Sequence, residues 1–201
     1  MKYLSLIAVA GLVLAGSAQA QTASNNQNNS SNIKAQLNAK IDNVTSDVSA
    51  TAAAIGNSFT AEGSSLNGLN NYQRFFGDAT SNLSTTITNV TGDVSATSAA
   101  IANTATVKAD WSGAVSNTQY VNYDPSAVLN ATVYNVDKSV SATAAAISNS
   151  ATFTTDFSSL NSTQVNTAAV NAYANTTIAG VAGKVDATAA AIGNTLTVKG
   201  F

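Results

Sequence analysis

Apolar and polar positions alternate through much of the sequence, and this alternation predicts strands. Residues 104–107 and 195–198 switch between polar and apolar types at every position and are rich in β-branched or aliphatic residues, which favour extended structure. Upstream of the second segment, Val185, Ala187, Ala189 and Ala191 occupy every second position, so they would share one face of a strand. Small alanines suit a narrow interior between two sheets. The pattern therefore predicts an all-β protein.

A second apolar pattern predicts a different fold. Apolar residues and a threonine recur at spacings of 4, 4, 3, 4, 3 and 4 residues, which is the heptad pattern of a coiled-coil stalk. Gly92, Gly183 and the many valines, threonines, asparagines and serines disfavour a helix, and the flanking heptad positions lack charge pairs. We therefore favour strands and keep an all-α heptad coiled-coil stalk as the alternative. The heptad positions are Ile33, Leu37, Ile41, Val44, Val48, Thr51 and Ile55.

One ten-residue phrase occurs four times in the sequence. Its copies begin at Val48, Val94, Val140 and Val185, so they are 46, 46 and 45 residues apart. A weaker phrase begins 19 residues before the asparagine that ends each copy, which divides the period into parts of 19 and about 27 residues. A constant period of this size is typical of stacked units that each bury an apolar face on the next. We expect residues 33–201 to form one repeat domain of four units of about 46 residues.

The asparagine at the end of each phrase predicts a polar ladder. It follows Ile-Gly, Ile-Ala or Ile-Ser, and glycine and asparagine accept turn conformations at little cost. We therefore predict a bend at this place and a β-solenoid of strand-turn-strand coils. Stacked copies would align the asparagines so that their side-chain amides hydrogen-bond from coil to coil. The predicted ladder consists of Asn38, Asn57, Asn103, Asn130, Asn149, Asn175 and Asn194.

The first 32 residues predict export rather than folding. A positive charge at Lys2, an apolar stretch from Leu4–Ala15 and the small-residue sequence Ala-Gln-Ala at 18–20 are typical of a secretory signal peptide. We expect cleavage before Gln21, a disordered polar linker over residues 21–32, and no transmembrane segment in the mature chain. The protein is therefore expected to be secreted and to remain associated with the cell surface.

Composition excludes several kinds of chemistry. The sequence has no cysteine and no histidine, so it can form neither a disulfide, nor a Cys/His zinc site, nor a Ser-His-Asp triad. Asp47 and Asp93 occupy equivalent places in two repeats, but Ser139 and Lys184 follow there, which argues against a repeated carboxylate site. We expect no enzymatic activity, no cofactor and no metal. Eight basic and ten acidic residues leave a net charge of −2, which favours self-association and disfavours nucleic acid as a partner.

Most aromatic residues fall in the longer part of the repeat. Exposed aromatic rings can stack on sugar rings, so a face that contacts glycans or another surface is one interpretation. The plainer interpretation is that these side chains fill the wider end of a long coil. The candidate contact residues are Tyr72, Phe76, Trp111, Tyr120 and Tyr123.

The sequence resembles curli-type fibre subunits and the holdfast-anchor adhesins that are exported through a curli-type pore. The likeness rests on the Gly-Asn-Ser/Thr-x-Thr-Val phrase, on glutamines at Gln119 and Gln164 that are followed closely by asparagine, and on the part-repeat of about 20 residues. It implies a β-solenoid with Asn and Gln ladders, end-to-end polymerisation into functional amyloid, and a role in attachment and biofilm. Curli-type repeats keep a glutamine opposite each asparagine, whereas here we expect Ala145 and Ala190 at the comparable place.

Two classes of function follow from these observations. The first is a structural protein of the cell surface, either a fibre subunit or an anchor or adhesin, whose partners are further copies of itself or related subunits. The second is a secreted module that stays monomeric and binds polysaccharide through its aromatic residues. Residues 187–197 contain no charge and no proline, so an edge formed there favours the first class.

Overall fold

The computed structural model of the protein describes residues 4–15 and 21–200. All secondary-structure elements in these ranges are strands. The predicted all-β fold is confirmed, and the helical alternative is wrong. The strands are β1 (Leu4–Ala15), β2 (Gln21–Asn29), β3 (Ile33–Val44), β4 (Val48–Phe75), β5 (Ala79–Val90), β6 (Val94–Val121), β7 (Ser126–Val136), β8 (Val140–Asn166), β9 (Asn171–Val181) and β10 (Val185–Lys199).

Each strand pairs in parallel with the equivalent strand one repeat away. The long strands form one sheet in the order β1-β4-β6-β8-β10, with β2 also paired on β4, and the short strands form a second sheet in the order β3-β5-β7-β9. Val48 lies beside Val94, which lies beside Val140, so identical phrases stack in register. A short strand and the long strand after it make one coil, and successive coils stack to form the predicted β-solenoid.

The three longest strands, β4, β6 and β8, each double back on themselves. The side-chain amide of Asn57 donates to the carbonyl oxygen of Arg74 at 2.9 Å, although the two residues lie 17 positions apart in β4. We call residues 48–62 of β4 the first arm and residues 66–75 the second arm, and we use the same terms for the equivalent parts of β6 and β8. The short strand of each coil packs on the first arm, as the hydrogen bond between the hydroxyls of Ser81 in β5 and Ser98 in β6 at 2.8 Å shows.

Three apolar clusters fill the solenoid. The largest lies between the short strands and the beginnings of the first arms, where Leu83, Ile87 and Leu129 are fully buried. A second lies between the first and second arms around Phe59 and Phe153, and a third lies at the corner around Phe75 and Val121. Alanines fill the narrow places between these larger side chains, and Ala52, Ala54 and Ala144 have no exposed surface.

The turn after each short strand uses a left-handed residue. Asn43, Asn89 and Asn135 have φ angles of 57°, 55° and 55°, and Gly180 has φ 65° at the equivalent place. Asparagine and glycine tolerate this conformation better than other residues do. The side chains also hydrogen-bond from coil to coil. Asn89 Nδ2 donates to Asn43 Oδ1 at 3.2 Å, and Asn135 Nδ2 donates to Asn89 Oδ1 at 3.1 Å.

The change of period from 46 to 45 residues occurs between the two arms of the third coil. Lys108 lies beside Thr154, 46 residues later, but Trp111 lies beside Asp156, 45 residues later, and the register shifts between these pairs. On both sides of the shift β6 and β8 remain paired, through Val107 with Phe153 and Val115 with Leu160. We call the residues between the two arms the arch, which is 63–65 in β4 and 109–111 in β6. The arch of the third coil is therefore shorter by one residue, and the pairing of both arms is kept.

The structure differs from the prediction of a disordered linker over residues 21–32. Gln21–Asn29 forms β2 and pairs with the second arm of β4, and Asn25 is only 3 % exposed. The prediction assumed that a segment without large apolar residues cannot pack. Here the interior that β2 faces is polar, so its amide side chains have partners.

The predicted signal peptide lies partly outside the described residues, namely Lys2 and residues 16–20. Its apolar stretch Leu4–Ala15 forms β1, which pairs in parallel with the first arm of β4 from Ala50 to Glu62. Cleavage before Gln21 stays a prediction. None of the described residues belongs to a helix with the length and apolarity needed to cross a membrane.

Candidate functional site

A buried ladder of asparagines runs through the first arms of successive coils. Asn57 Nδ2 donates to Asn103 Oδ1 at 2.8 Å, Asn103 to Asn149 at 2.9 Å, and Asn149 to Asn194 at 2.8 Å. Each amide also reaches across the coil, where Asn57 and Asn103 donate to the second-arm carbonyls of Arg74 and Tyr120. The ladder thus joins neighbouring coils and also holds the two arms of one coil together.

A glutamine ladder faces it from the second arms. Gln73 Nε2 donates to Gln27 Oε1 at 2.8 Å, Gln119 to Gln73 at 2.8 Å, and Gln164 to Gln119 at 2.7 Å. The second hydrogen of each amide goes to a first-arm carbonyl, as from Gln73 to Thr104 at 3.0 Å. The two ladders have opposite senses, because each asparagine donates to the following coil and each glutamine donates to the preceding one.

The glutamine ladder corrects the expectation that alanine lies opposite each asparagine. Ala145 and Ala190 belong to β8 and β10, in the arm that contains the asparagine, and not to the arm that faces it. The glutamines come after the strongly repeated phrase, in a part of the sequence where the repeats differ in most other positions. Their recurrence at 27, 73, 119 and 164, with the same spacings of 46, 46 and 45, was the signal that could have identified them.

A third ladder lies two positions away in the second arms. Asn25 Nδ2 donates to Asn71 Oδ1 at 2.6 Å, Asn71 to Asn117 at 2.7 Å, and Asn117 to the hydroxyl of Ser162 at 3.0 Å. Asn71 and Asn117 are fully or almost fully buried. Sequence reasoning missed this ladder because it treated Asn25 as part of a linker.

Three residues of the predicted asparagine ladder lie elsewhere. Asn38, Asn130 and Asn175 are exposed on the sheet of short strands, in β3, β7 and β9. Asn175 and Asn130 are joined by a long hydrogen bond of 3.4 Å, whereas Asn38 lies beside Ser84. These three do not reach the first arms, because the weaker phrase forms a separate strand. The structure therefore divides the predicted set between a buried ladder and an exposed surface.

The candidate aromatic residues lie in several places. Tyr72 and Tyr120 come together from adjacent coils, with ring centroids 6.1 Å apart. Phe76 lies under the guanidinium group of Arg74, whose central carbon is 4.4 Å from the ring centroid. Trp111 and Tyr123 are 46 % and 52 % exposed, but Trp111 lies at the far end of the second arm from Tyr120. Only Tyr72 and Tyr120 of the five are therefore paired with each other.

The last coil exposes apolar side chains that earlier coils bury. Val185, Leu196 and Val198 in β10 are 46 %, 45 % and 42 % exposed. Their stacked neighbours in β8 are Val140, Ala151 and Phe153, which are 1 %, 1 % and 0 % exposed. The difference arises because, among the described residues, β10 has a paired strand on one side only.

Residues 5–158 of the chain match the family of holdfast attachment protein D, HfaD. The chain belongs to the HfaD family. No curated protein and no solved structure matches it. Membership in HfaD makes it a holdfast attachment protein with a role in adhesion at the cell surface, and the resemblance to holdfast-anchor adhesins is confirmed. The likeness to curli-type fibre subunits stays a prediction.

The part of the chain that matches HfaD contains most of the ladder residues. It ends within β8, after the first arm, and so includes Asn57, Asn103 and Asn149 of the asparagine ladder and Gln27, Gln73 and Gln119 of the glutamine ladder. Gln164 and Asn194 lie beyond it, yet they continue the same hydrogen bonds, 45 instead of 46 residues after their partners. The two ladders therefore extend beyond the matched region in spite of the change of period.

Several aspartates of this HfaD chain accept hydrogen bonds at or beside the turns between strands. The carboxylates of Asp47 and Asp93 each accept the backbone N–H of the equivalent turn in the next coil at 2.9 Å. The hydrogen bond from the hydroxyl of Thr88, with a further one from the side-chain amide of Asn89, lowers the pKa of Asp42 below its ordinary value. No group of three or more carboxylates in residues 4–15 and 21–200 is arranged to hold a metal ion.

Proposed function

We propose that this HfaD protein is exported and acts as a structural subunit, in a fibre or as an anchor, that attaches the holdfast to the cell surface without catalysing a reaction. The observation that supports the proposal is the apolar, unpaired edge of β10. The first arms of β6 and β8 each pair with a strand on both sides, so a further strand would give β10 what its neighbours already have. A partner that stacks on β10 is therefore the simplest way to complete the fold.

The chemistry of β10 favours pairing with another strand. Residues 187–197 carry no charge and no proline, and the free edge of a strand presents a row of backbone donors and acceptors. Burial of Val185, Leu196 and Val198 would add the hydrophobic contribution, about 25 cal/mol for each Å² of apolar surface removed from water. Both contributions act through the same face, so self-association or docking on a related subunit depends on it.

The test places a charge at Ala191, whose stacked neighbour Ala146 is fully buried. A lysine there can extend into solvent from an uncovered end coil, but it cannot do so beneath another coil. We expect Ala191→Lys in the mature chain to sediment as a monomer and to abolish attachment of cells, whereas the unmodified protein forms larger species. Ala190→Lys is the matched control, because it adds the same charge to the neighbouring residue on the opposite strand face.

Unchanged circular dichroism would show that Ala191→Lys still folds. Large species that persist in the folded Ala191→Lys variant would place the contact elsewhere and contradict the proposal. Attachment that persists in cells lacking the protein would contradict the proposed role in holding the holdfast on the cell surface.

A second candidate function, polysaccharide binding, is favoured by the Tyr72–Tyr120 pair. The two rings from adjacent coils form an aromatic surface at 6.1 Å, next to the segment that carries Arg74. We expect replacement of both tyrosines by alanine to lower retention on immobilised holdfast polysaccharide at least tenfold if this surface binds sugar. Tyr134→Ala is the control, because Tyr134 is 38 % exposed on the sheet of short strands. If all variants are retained equally on the polysaccharide, Tyr72 and Tyr120 do not bind sugar and contribute only to packing.

A further inference from the structure

Within residues 21–200, the first and the last coil of the solenoid are offset by half a coil. At one end, β2 pairs only with the second arm of β4 and so forms an additional half-coil. At the other end, β10 pairs only with the first arm of β8, from Val185 beside Val140 to Lys199 beside Thr154. No strand within the described residues pairs with residues 159–166 on the side away from β6. We call residues 159–166 the vacant arm.

We propose that two copies of the mature chain dock head to tail, with β2 of one copy filling the vacant arm of the other. The partner's β10 would then lie along the first arm of β4, and its β9 along β3. This inference rests on the proposed function only in that the partner is a second copy. It assigns a docking role to Gln21–Asn29, the segment that sequence reasoning treated as a linker.

The register of the coils carries through to the vacant arm. Asn26 lies beside Tyr72, Tyr72 beside Thr118, and Thr118 beside Thr163. Gln27 connects in the same way through Gln73 and Gln119 to Gln164, and Asn25 through Asn71 and Asn117 to Ser162. A copy docked by β2 would therefore repeat at the junction the stacking found inside each chain.

The senses of the ladders match at this junction. Gln164 Oε1 accepts no hydrogen bond from a described residue, and Gln27 Nε2 donates only one, to the Ser58 carbonyl at 2.9 Å. Docking would let the second hydrogen of Gln27 bond to Gln164 of the neighbour. In the asparagine ladder, Asn194 would donate to Asn57 of the neighbour, which continues the sense seen between Asn149 and Asn194. A head-to-head pair would instead place like groups together.

In the docked pair, β1 and the β10 strand of the other copy would compete for the same edge. β1 occupies the edge of β4 from Ala50 to Glu62, which is the edge that the β10 strand of the docked copy requires. A chain that retains residues 1–20 cannot accept a neighbour at this face. Removal of the predicted signal peptide would therefore open the surface, while β2 remains to enter the vacant arm.

Disulfide formation can test the register, because the sequence has no cysteine. Asn26 and Thr163 are both exposed, and in the docked pair they would be direct neighbours on adjacent strands, about 4.8 Å apart. Within one chain they lie three coils apart, roughly 14 Å, which is too far for a disulfide. We expect a mixture of the mature single variants Asn26→Cys and Thr163→Cys to form covalent heterodimers under mild oxidation.

Thr22→Cys mixed with Thr163→Cys is the matched control. Thr22 is also exposed in β2, but it lies four residues away from the position that faces Thr163, roughly 13 Å along the strand. We expect at least tenfold more heterodimer from the Asn26 pair than from the Thr22 pair, and none from Asn26→Cys in a chain that retains residues 1–20.

Equal yields from the two pairs would overturn the proposed register. If the unmodified chain self-associates and Ala191→Lys prevents it, such a result would reject only the β2 docking and leave the proposed function in place. If the unmodified mature chain stays monomeric at every concentration tested, both proposals fail.

Discussion

A single asparagine in the first-arm ladder uses all its hydrogen-bonding groups. Asn103 donates to Asn149 Oδ1 and to the Tyr120 carbonyl and accepts from Asn57, and none of its surface is exposed. Leaving such groups unpaired costs about 1–3 kcal/mol because they have lost water without gaining another partner. The ladder residues are therefore polar residues that behave energetically like core residues.

We predict that Asn103→Leu lowers the free energy of unfolding of the mature chain by about 2–3 kcal/mol, since it removes three hydrogen bonds and orphans their partners. Asn28→Leu is the control, because Asn28 is exposed in β2 and should change stability by less than about 0.5 kcal/mol. Urea unfolding followed by circular dichroism measures both. Similar losses in the two variants would contradict a stabilising role for the ladder.

At the scale of one strand, β2 depends mainly on polar contacts. Ala23 is its one buried apolar residue, while Asn25 and Gln27 hydrogen-bond to Asn71 and Gln73 of the next coil. Gln27 also donates to the Ser58 carbonyl, which ties β2 to the first arm. A strand with so little apolar burial as β2 should open locally before the rest of the solenoid does.

We predict that Gln27→Ala makes the backbone amides of β2 exchange roughly tenfold faster, because the strand loses two hydrogen bonds of about 0.5–1.5 kcal/mol each. Asn26→Ala is the matched control, since Asn26 is exposed and should leave exchange within about twofold. Hydrogen exchange of the mature chain, read by mass spectrometry of the N-terminal peptide, measures the effect. Full exchange of β2 in the unmodified chain would instead restore the disordered linker.

The whole molecule was predictable where the repeat is strong. The period, the parallel stacking and the buried positions of Asn57, Asn103 and Asn149 follow from one repeated phrase, because stacked copies place the same residue in the same environment. The doubling back of each long strand was not predictable, since it depends on contacts between Asn57 and Arg74 in parts that do not resemble each other. β2 was missed for a related reason: low apolarity indicates disorder only if the interior is apolar.

The register shift between Lys108 and Trp111 has a consequence for how such a chain can change. A coil that has lost one residue at the arch still stacks with its ladders intact, so the arch isolates the arms from changes in length. Insertions or deletions at the exposed residues 64 and 110–111 are therefore the kind that the architecture tolerates, and a peptide tag placed there would lie on the outside of an assembly without interrupting its growth.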